Sequence, residues 1–269
     1  MRRFLQLFVL GATLATSISI CVHLAQSIRQ TDHPKTVGEH SVQTAAKKDK
    51  PATLQDFRDV ISAARSSVVK VEGEACDYIS DGTGFIFGQD LVVTNAHAVA
   101  GMTSPYVIDS HGKHQATTVF MDPSLDIAVV RVEGLSGQPL KLDTPDTGLA
   151  IQGSHYGKQA VILGYPDGGS FQAKLINIGE EYNATIDDIY HKNQTDHDIF
   201  AIRTKIIPGS SGSPVVQRDG TVVGIIFAID PDVPNRGLAL PTYAFYRLIE
   251  NAKQLHEPVT SKCVVSDAN

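Results

Sequence analysis

Residues 208–214 are Pro208-Gly209-Ser210-Ser211-Gly212-Ser213-Pro214. This segment lies between two strand-like runs at 199–204 and 215–217. A serine hydroxyl becomes an effective nucleophile only beside a base and near backbone N–H groups that hold the oxyanion. A glycine at 209 permits the backbone angles that bring its own N–H and that of Ser211 towards one point. Taken alone, the cluster is more typical of a turn, so the base and its partner have to come from elsewhere in the chain.

His97 is the best candidate for the base among the ten histidines. It directly follows the apolar run 91–94 and stands among small residues in Thr-Asn-Ala-His-Ala-Val at 94–99. A histidine at the end of a strand can reach a cleft, although a lone histidine in an apolar setting is more often a satisfied core residue. An aspartate in a matching position would favour the catalytic interpretation.

Asp126 supplies that aspartate, because it opens the apolar run 127–132. A carboxylate at this point is costly to bury unless it is paired. A turn cap is the alternative role, and Asp122 suits that role as well. We therefore expect Asp126 to orient His97, His97 to act as the base and Ser211 to be the nucleophile. The backbone of Gly209, Ser210 and Ser211 is expected to form the oxyanion hole.

Composition places the chain among acidic globular proteins. It has 269 residues, 42% of them hydrophobic, and a net charge of −6 with no long run of lysine or arginine. This length suits one large domain or two small ones with extensions. The charge argues against nucleic acid as a partner.

The N-terminus differs from the rest of the chain. Met1-Arg2-Arg3 precedes an apolar segment at 4–25 that contains no acidic or basic residue except His23. As a helix it would reach roughly 33 Å, enough to cross a bilayer, with the two arginines on the cytoplasmic side. The alternatives are a cleaved signal peptide and a buried core helix. We expect an uncleaved signal anchor at 1–26, a flexible polar linker at 27–52 and an exported folded domain at 53–269.

Two of the three cysteines, Cys76 and Cys263, lie near the two ends of the exported part. An exported chain with two cysteines in its folded region tends to pair them. The alternative is two free buried thiols. The third, Cys21, lies within the apolar N-terminal segment.

The folded region contains about twelve short β-type runs, which include 91–94, 106–109, 127–132, 171–178 and 199–204. Turn residues such as Asp81-Gly82 and Asp219-Gly220 separate them. This pattern predicts antiparallel barrels or a sandwich. Helical spacing marks one helix before the strands, at 54–64, and another after them, at 242–255. Thr53 and Asp56 are placed as a capping box for the first of these.

The order His97, Asp126, Ser211 resembles that of the chymotrypsin-like serine proteases. Residues 94–99 and 125–130, together with Leu-Gly-Tyr-Pro at 163–166 and Gly-Leu-Ala-Leu-Pro at 237–241, are similar to the HtrA/Deg branch. The resemblance covers about residues 66–255. It implies an all-β fold of two six-stranded barrels, one at about 66–140 and one at about 150–255.

The length of chain after Ser211 differs from that of the HtrA proteases and indicates a different subfamily. Only 58 residues follow Ser211, too few for the end of the barrel and a PDZ domain. The chain is more similar to the membrane-anchored MarP-type acid-resistance proteases, which lack that domain and carry a disulfide between the ends of the protease domain, as at Cys76 and Cys263. Those proteins have several membrane helices, whereas this sequence has one candidate.

The same turn also resembles that of the staphylococcal glutamyl endopeptidases, which hold a glutamate with a histidine in the following strand. Ile226 stands at that position, and an apolar side chain does not pair with a carboxylate. We expect a substrate pocket near Ile226, Phe227 and Ala228 for small or apolar residues.

The resemblance implies a membrane-tethered serine endopeptidase that acts on protein or peptide substrates in envelope stress or protein processing, without metal or cofactor. Its catalytic domain would lie outside the cytoplasm, and secretion after signal cleavage is the alternative location. A protease-like module that binds peptides without cutting them is the alternative function. An esterase is less consistent, because α/β-hydrolases have the reverse order of serine, acid and histidine.

Overall fold

The computed structural model describes residues 52–144 and 154–264. The strands of the first half are β1 (Val68–Ala75), β2 (Tyr78–Gly88), β3 (Leu91–Thr94), β4 (Tyr106–Asp109), β5 (Gly112–Asp122) and β6 (Ile127–Val132). Those of the second half are β7 (Lys141–Leu142), β8 (Gln159–Gly164), β9 (Gln172–Asp187), β10 (Gln194–Arg203), β11 (Pro214–Gln217), β12 (Thr221–Ile229) and β13 (Arg236–Pro241). The α-helices are α1 (Arg58–Ala64), α2 (Ala96–Val99) and α3 (Thr242–Ala252).

The first six strands close into a barrel in the order β1-β2-β3-β6-β5-β4, and pairing of β4 with β1 completes the ring. The neighbouring strands are antiparallel, and Leu91 of β3 lies opposite Arg131 of β6. The interior is filled by small and β-branched residues, including Val69, Val92 and Val130, each with no exposed surface. β-branched side chains suit such pleated, closely spaced strands.

The second barrel follows the order β11-β8-β9-β10-β13-β12, closed by pairing of β11 with β12. The short β7 adds to the edge of β12 in parallel. The interior of this second barrel contains larger residues, such as Ile162, Phe200 and Ile226. Of the two architectures that the strand pattern predicts, the structure therefore has barrels and not a sandwich.

A third apolar cluster joins the two barrels and the helices to each other. Phe85 and Val129 reach it from the first barrel, Leu163 from the second and Phe245 from α3. Burial of this shared surface fixes the relative position of the barrels, because separating them would expose large apolar side chains.

The predicted helices are present with shorter bounds. The first begins as a 3-10 turn, Leu54–Phe57, before α1, and the Thr53 N–H donates to Asp56 Oδ2 at 2.7 Å, as a capping box requires. The last ends at Ala252 rather than at residue 255. The predicted anchor at 1–26 and nearly all of the predicted linker lie outside the described residues. Among the described residues, no helix is long and apolar enough to cross a membrane.

Candidate active site

Strand pairing brings His97 and Asp126 together. β3 and β6 are antiparallel neighbours with Thr94 opposite Ala128. The end of β3, which leads into α2 and His97, therefore meets the start of β6, which follows Asp126. Two residues separated by 29 positions in sequence are placed side by side by one ladder of the first barrel.

The Asp126 carboxylate, on a residue only 4% exposed, uses both oxygens on His97. Its Oδ1 accepts the His97 backbone N–H at 2.9 Å, and its Oδ2 lies 2.7 Å from His97 Nδ1. Asn95 Nδ2 donates to the Asp126 carbonyl oxygen at 2.8 Å. The carboxylate therefore fixes Nδ1 as the protonated ring nitrogen and leaves Nε2 of the neutral ring as the acceptor.

The pKa of His97 is set by opposing effects. Burial lowers it, while the negative charge of Asp126 and the hydrogen bond to it raise it, and the net shift is upward. The imidazolium form of His97 is thus stabilised by Asp126, which is the property that a general base needs while it holds a proton.

The backbone of Ser211 approaches the segment that carries His97 at β2. A Cβ at Gly82 would be 3.1 Å from Ala98 Cβ and 3.3 Å from the Ser211 carbonyl oxygen. The residue next to His97 and the backbone of Ser211 therefore meet across the same glycine. The Thr83 N–H also donates to that Ser211 oxygen at 2.8 Å.

Thr83 is a positioning residue that the sequence analysis missed. Its Oγ1 donates to the Gly209 carbonyl oxygen at 2.7 Å, and its own carbonyl oxygen accepts from Thr94 Oγ1, also at 2.7 Å. Thr83 thus links the serine-bearing turn to the strand that leads to His97. The sequence signal was weak, because a threonine within a strand is ordinary.

The turn itself depends on two glycines with left-handed backbone. Gly212 has φ of 84°, and a Cβ there would lie 1.8 Å from the Thr83 carbonyl oxygen. Gly209 has φ of 75°, and a Cβ there would lie 2.5 Å from the Tyr165 carbonyl oxygen. Any larger residue at either position would move the turn away from its supports.

The three backbone N–H groups of the expected oxyanion hole differ in their partners. The Ser210 N–H donates to the Ile207 carbonyl oxygen at 3.1 Å. Within the described ranges, the N–H groups of Gly209 and Ser211 donate to no acceptor. Two donors separated by one engaged amide are therefore available to an oxyanion at this turn.

The strand expected to form the substrate pocket contacts the turn through its backbone. The Gly212 N–H donates to the Ile226 carbonyl oxygen, and the Ile226 N–H donates to the Ser213 carbonyl oxygen, both at 2.9 Å. The side chain of Ile226 is fully buried in the second barrel, whereas Phe227 and Ala228 belong to the cluster between the barrels. The residues are thus next to the turn, with Ala228 the most exposed of the three at 9%.

Cys76 and Cys263 form a disulfide across 187 residues. Cys76 follows β1, and a Cβ at Gly101, two residues beyond α2, would lie 2.8 Å from its Sγ. The C-terminal segment is therefore tied to the end of the helix that carries His97. Among the described residues, no group of three or more histidine, cysteine or acidic side chains is arranged to hold a metal ion.

Two closed antiparallel barrels, with a histidine–aspartate pair and a glycine-flanked serine between them, are the architecture of the chymotrypsin-like serine proteases. The chain belongs to the trypsin-like peptidase domain family, whose pattern matches residues 82–225. That range contains His97, Asp126 and Ser211.

Curated relatives are serine proteases. The chain is 35% identical over 184 residues to the serine protease Rv3671c of Mycobacterium tuberculosis, an alignment that covers 67% of this chain and 45% of that protein. It is 31% identical over 180 residues to a probable periplasmic serine endoprotease, DegP-like, of Chlamydia pneumoniae, with 63% and 33% covered. The chain thus spans about half or less of the length of these relatives.

Solved structures agree with the fold. The active form of the Rv3671c protease from M. tuberculosis superposes with a TM-score of 0.73 at 30% identity, covering 86% of this chain and 100% of that one. The inactive form gives 0.64 at 31% identity, with 76% and 98% covered. The predicted all-β double barrel is confirmed by this similarity.

Proposed function

We propose that the chain is a serine endopeptidase that hydrolyses peptide bonds through His97, Asp126 and Ser211. The observation that carries this proposal is the pairing of both Asp126 oxygens with His97, with the half-buried Ser211 on a turn that approaches the residue after His97. The enzyme is exported and tethered to the membrane by residues 1–26, with 27–52 as linker and 53–269 as the protease domain.

In the mechanism, Ser211 Oγ attacks the scissile carbonyl while His97 Nε2 takes its proton. The N–H groups of Gly209 and Ser211 hold the oxyanion, and loss of one such donor typically costs about 10²–10³ in rate. His97 then donates the proton to the leaving amine, and water hydrolyses the acyl-enzyme by the same route in reverse. Asp126 keeps the ring in the tautomer that both steps need.

The residue on the acyl side of the scissile bond is small or apolar in this proposal. Support comes from Phe227 and Ala228, which lie on β12, the strand whose backbone is bonded to the turn, and have no charged side chain. Ile226 has both backbone groups bonded to the turn, so it positions the strand rather than lining a cavity.

The test replaces the nucleophile. Ser211→Ala should fold as the parent does but lose hydrolysis of casein and labelling by a fluorophosphonate, because both need the Ser211 hydroxyl. Ser110→Ala, at an exposed turn of the first barrel, is the matched control and should retain both activities. Casein hydrolysis by Ser211→Ala, or a parent protein that binds peptide without labelling, would refute the assignment.

Tethering is tested separately on the full chain in cells. Alkaline carbonate extraction should leave the intact chain in the membrane pellet, since an inserted helix resists extraction. Recovery of a shortened soluble chain, with a new N-terminus near residue 26, would contradict the anchor and identify residues 1–26 as a cleaved signal peptide. Envelope terminomics with and without Ser211→Ala would identify substrates and any cleavage in the linker.

A further inference from the structure

A pocket outside the proposed triad lies against the serine-bearing turn. Its walls come from β8, the start of β9, the segment 205–207 and the turn itself, and they include Gly164, Lys174, Lys205, Ser210 and Ser213. His97, Asp126 and Ser211 are not among the lining residues. The pocket therefore borders the turn that positions the nucleophile without being part of the triad.

Two lysines flank this pocket, and both are exposed. Lys174 Nζ donates to the Lys205 carbonyl oxygen at 2.8 Å. The pKa of Lys174 is lowered by partial burial and by the charge of Lys205. In the described part of the chain, neither lysine forms an ion pair with a carboxylate. The two lysines are thus close enough for the charge of Lys205 to affect Lys174, and no described carboxylate pairs with either.

Ser213 provides a hydroxyl in the wall of the same pocket. The residue is 1% exposed, and its Oγ has no hydrogen-bond partner among the described residues. A Cβ at Gly164, another lining residue, would lie 2.1 Å from that oxygen. The glycine therefore leaves room for a hydroxyl that is buried and unsatisfied, which is uncommon in folded proteins.

We propose that this pocket binds a carboxylate with a short carbon chain. The ammonium groups of Lys174 and Lys205 supply charge-assisted donors at its edge, and the Ser213 hydroxyl supplies a neutral donor in its wall. Ile162 and Ile206 are among the other lining residues and suit the carbon chain. Either an acidic side chain of a peptide or a free organic acid would present this group.

Occupancy of the pocket would stabilise the turn next to it. The Ser210 N–H bonds the Ile207 carbonyl oxygen at 3.1 Å, and the Ser213 N–H bonds the Ser210 carbonyl oxygen at 3.0 Å. A ligand held by Lys205 and Ser213 would contact this segment at both ends. Because the segment carries the N–H groups of Gly209 and Ser211, the ligand would favour the arrangement that binds an oxyanion and would raise the rate. This last step rests on the proposed function, whereas the binding itself does not.

Binding is measured on the full chain carrying Ser211→Ala, so that no hydrolysis interferes. Sodium propionate, titrated by calorimetry at constant ionic strength against sodium chloride, should bind saturably. Lys174→Gln, Lys205→Gln and Ser213→Ala should each weaken binding about 3- to 10-fold. Lys113→Gln, on β5 of the first barrel, is the matched control and should bind as the parent does.

Two further ligands distinguish the source of the carboxylate. Binding of N-acetyl-glutamate amide at least tenfold more tightly than propionate, with none by the glutamine analogue, would identify a peptide side chain. Equal affinity for propionate and the glutamate compound would identify a free organic acid. Absence of saturable binding, or equal affinity in the Lys174→Gln and Lys205→Gln variants, would overturn the site.

The regulatory step has its own readout in the active protein. Saturating propionate should raise kcat/KM for a peptide substrate several-fold, and Lys205→Gln should remove the increase. Binding without any change in rate would refute the regulation while leaving the site. If the parent protein binds propionate but neither cleaves casein nor labels with a fluorophosphonate, the proposed function fails and the site remains.

Discussion

Asp126 is buried, has a strained backbone and has both carboxylate oxygens bonded to His97. Its φ of 56° lies in the left-handed region that non-glycine residues rarely adopt. The conformation is held by bonds from Asn95 to the carbonyl oxygen and from His97 to both carboxylate oxygens. Such local strain persists where surrounding contacts determine the geometry, and it is common at active sites. The orientation of His97 thus depends on one residue held from several sides.

In the proposed mechanism, the raised pKa of His97 sets the pH dependence of hydrolysis. A general base has to be neutral, so kcat/KM should rise with pH through a midpoint above 6.5, the ordinary value for histidine. Asp126→Asn removes the charge that raises the pKa and favours the wrong tautomer. It should lower this midpoint and reduce kcat by about 10⁴-fold. A pH–rate profile of both proteins measures both effects, and an unchanged midpoint in Asp126→Asn would contradict this role.

The same shift acts on stability with the opposite sign. Since the folded protein holds the His97 proton more tightly than the unfolded chain, the contribution is fully present below the unfolded pKa. It is lost as pH rises through the raised folded pKa. The pH range that favours catalysis is therefore the range in which this pair contributes least to folding.

At the scale of elements, the hairpin of β9 and β10 extends from the second barrel to the turn before Asp126. The Ile189 N–H donates to the Pro123 carbonyl oxygen at 3.1 Å, and Ser124 Oγ donates to Thr195 Oγ1 at 2.8 Å. His197 Nε2 lies 2.9 Å from the Ser124 carbonyl oxygen, to which it donates. The second barrel therefore supports the turn that presents the aspartate of the first.

Loosening this support should change catalysis more than folding. Thr195→Val removes one neutral hydrogen bond, worth about 0.5–1.5 kcal/mol. We expect kcat to fall about 2- to 10-fold with little change in KM, and the acid midpoint of kcat/KM to move down as Asp126 becomes less fixed. Thr185→Val is the matched control, because the Thr185 hydroxyl bonds Asp196 within the hairpin. The same loss of kcat in both variants would indicate a general weakening of the hairpin instead.

At the scale of the whole molecule, the C-terminal segment binds both to the first barrel and to the residues just after α2. The Val259 N–H donates to the Thr118 carbonyl oxygen of β5 at 2.8 Å. The Gly101 N–H donates to Ser261 Oγ at 2.9 Å, two residues before Cys263. The disulfide then closes a loop that includes the second barrel and every strand of the first barrel except β1.

Removing the disulfide should destabilise the protein strongly. In the chain-entropy model, a loop of this length contributes about 5 kcal/mol, since loops of about 100 residues already give about 4.7. Cys76→Ser with Cys263→Ser, or reduction of the parent, should lower the urea midpoint of unfolding. Reductant should not change the midpoint of the double variant, which is the control. Equal midpoints for the oxidised and reduced parent would contradict this contribution.

The bounds of several strands could be predicted from the sequence where the strands are largely apolar. The runs 91–94, 106–109 and 127–132 were predicted with the bounds of β3, β4 and β6. The hairpin of β9 and β10 was predicted too short, at 171–178 and 199–204. Its outer part alternates polar residues on exposed faces, including Glu180 and Asp196, so apolar periodicity does not mark it. The two-residue β7 was not predicted, because its pairing comes only from contact with β12.

The sequence by itself determined the apolar part of each barrel strand, the glycines of the serine-bearing turn and the residue types available for acyl transfer. Alternating hydrophobicity and turn geometry act over a few residues, so they can be inferred from local patterns. Only the tertiary structure decided which partners support residues 208–214: Thr83 from the first barrel and the backbone of Ile226 from the second. It also decided that the Ser210 N–H donates to Ile207, while those of Gly209 and Ser211 donate to no acceptor among the described residues. These contacts depend on closure of two barrels and on burial between them, which no local pattern encodes.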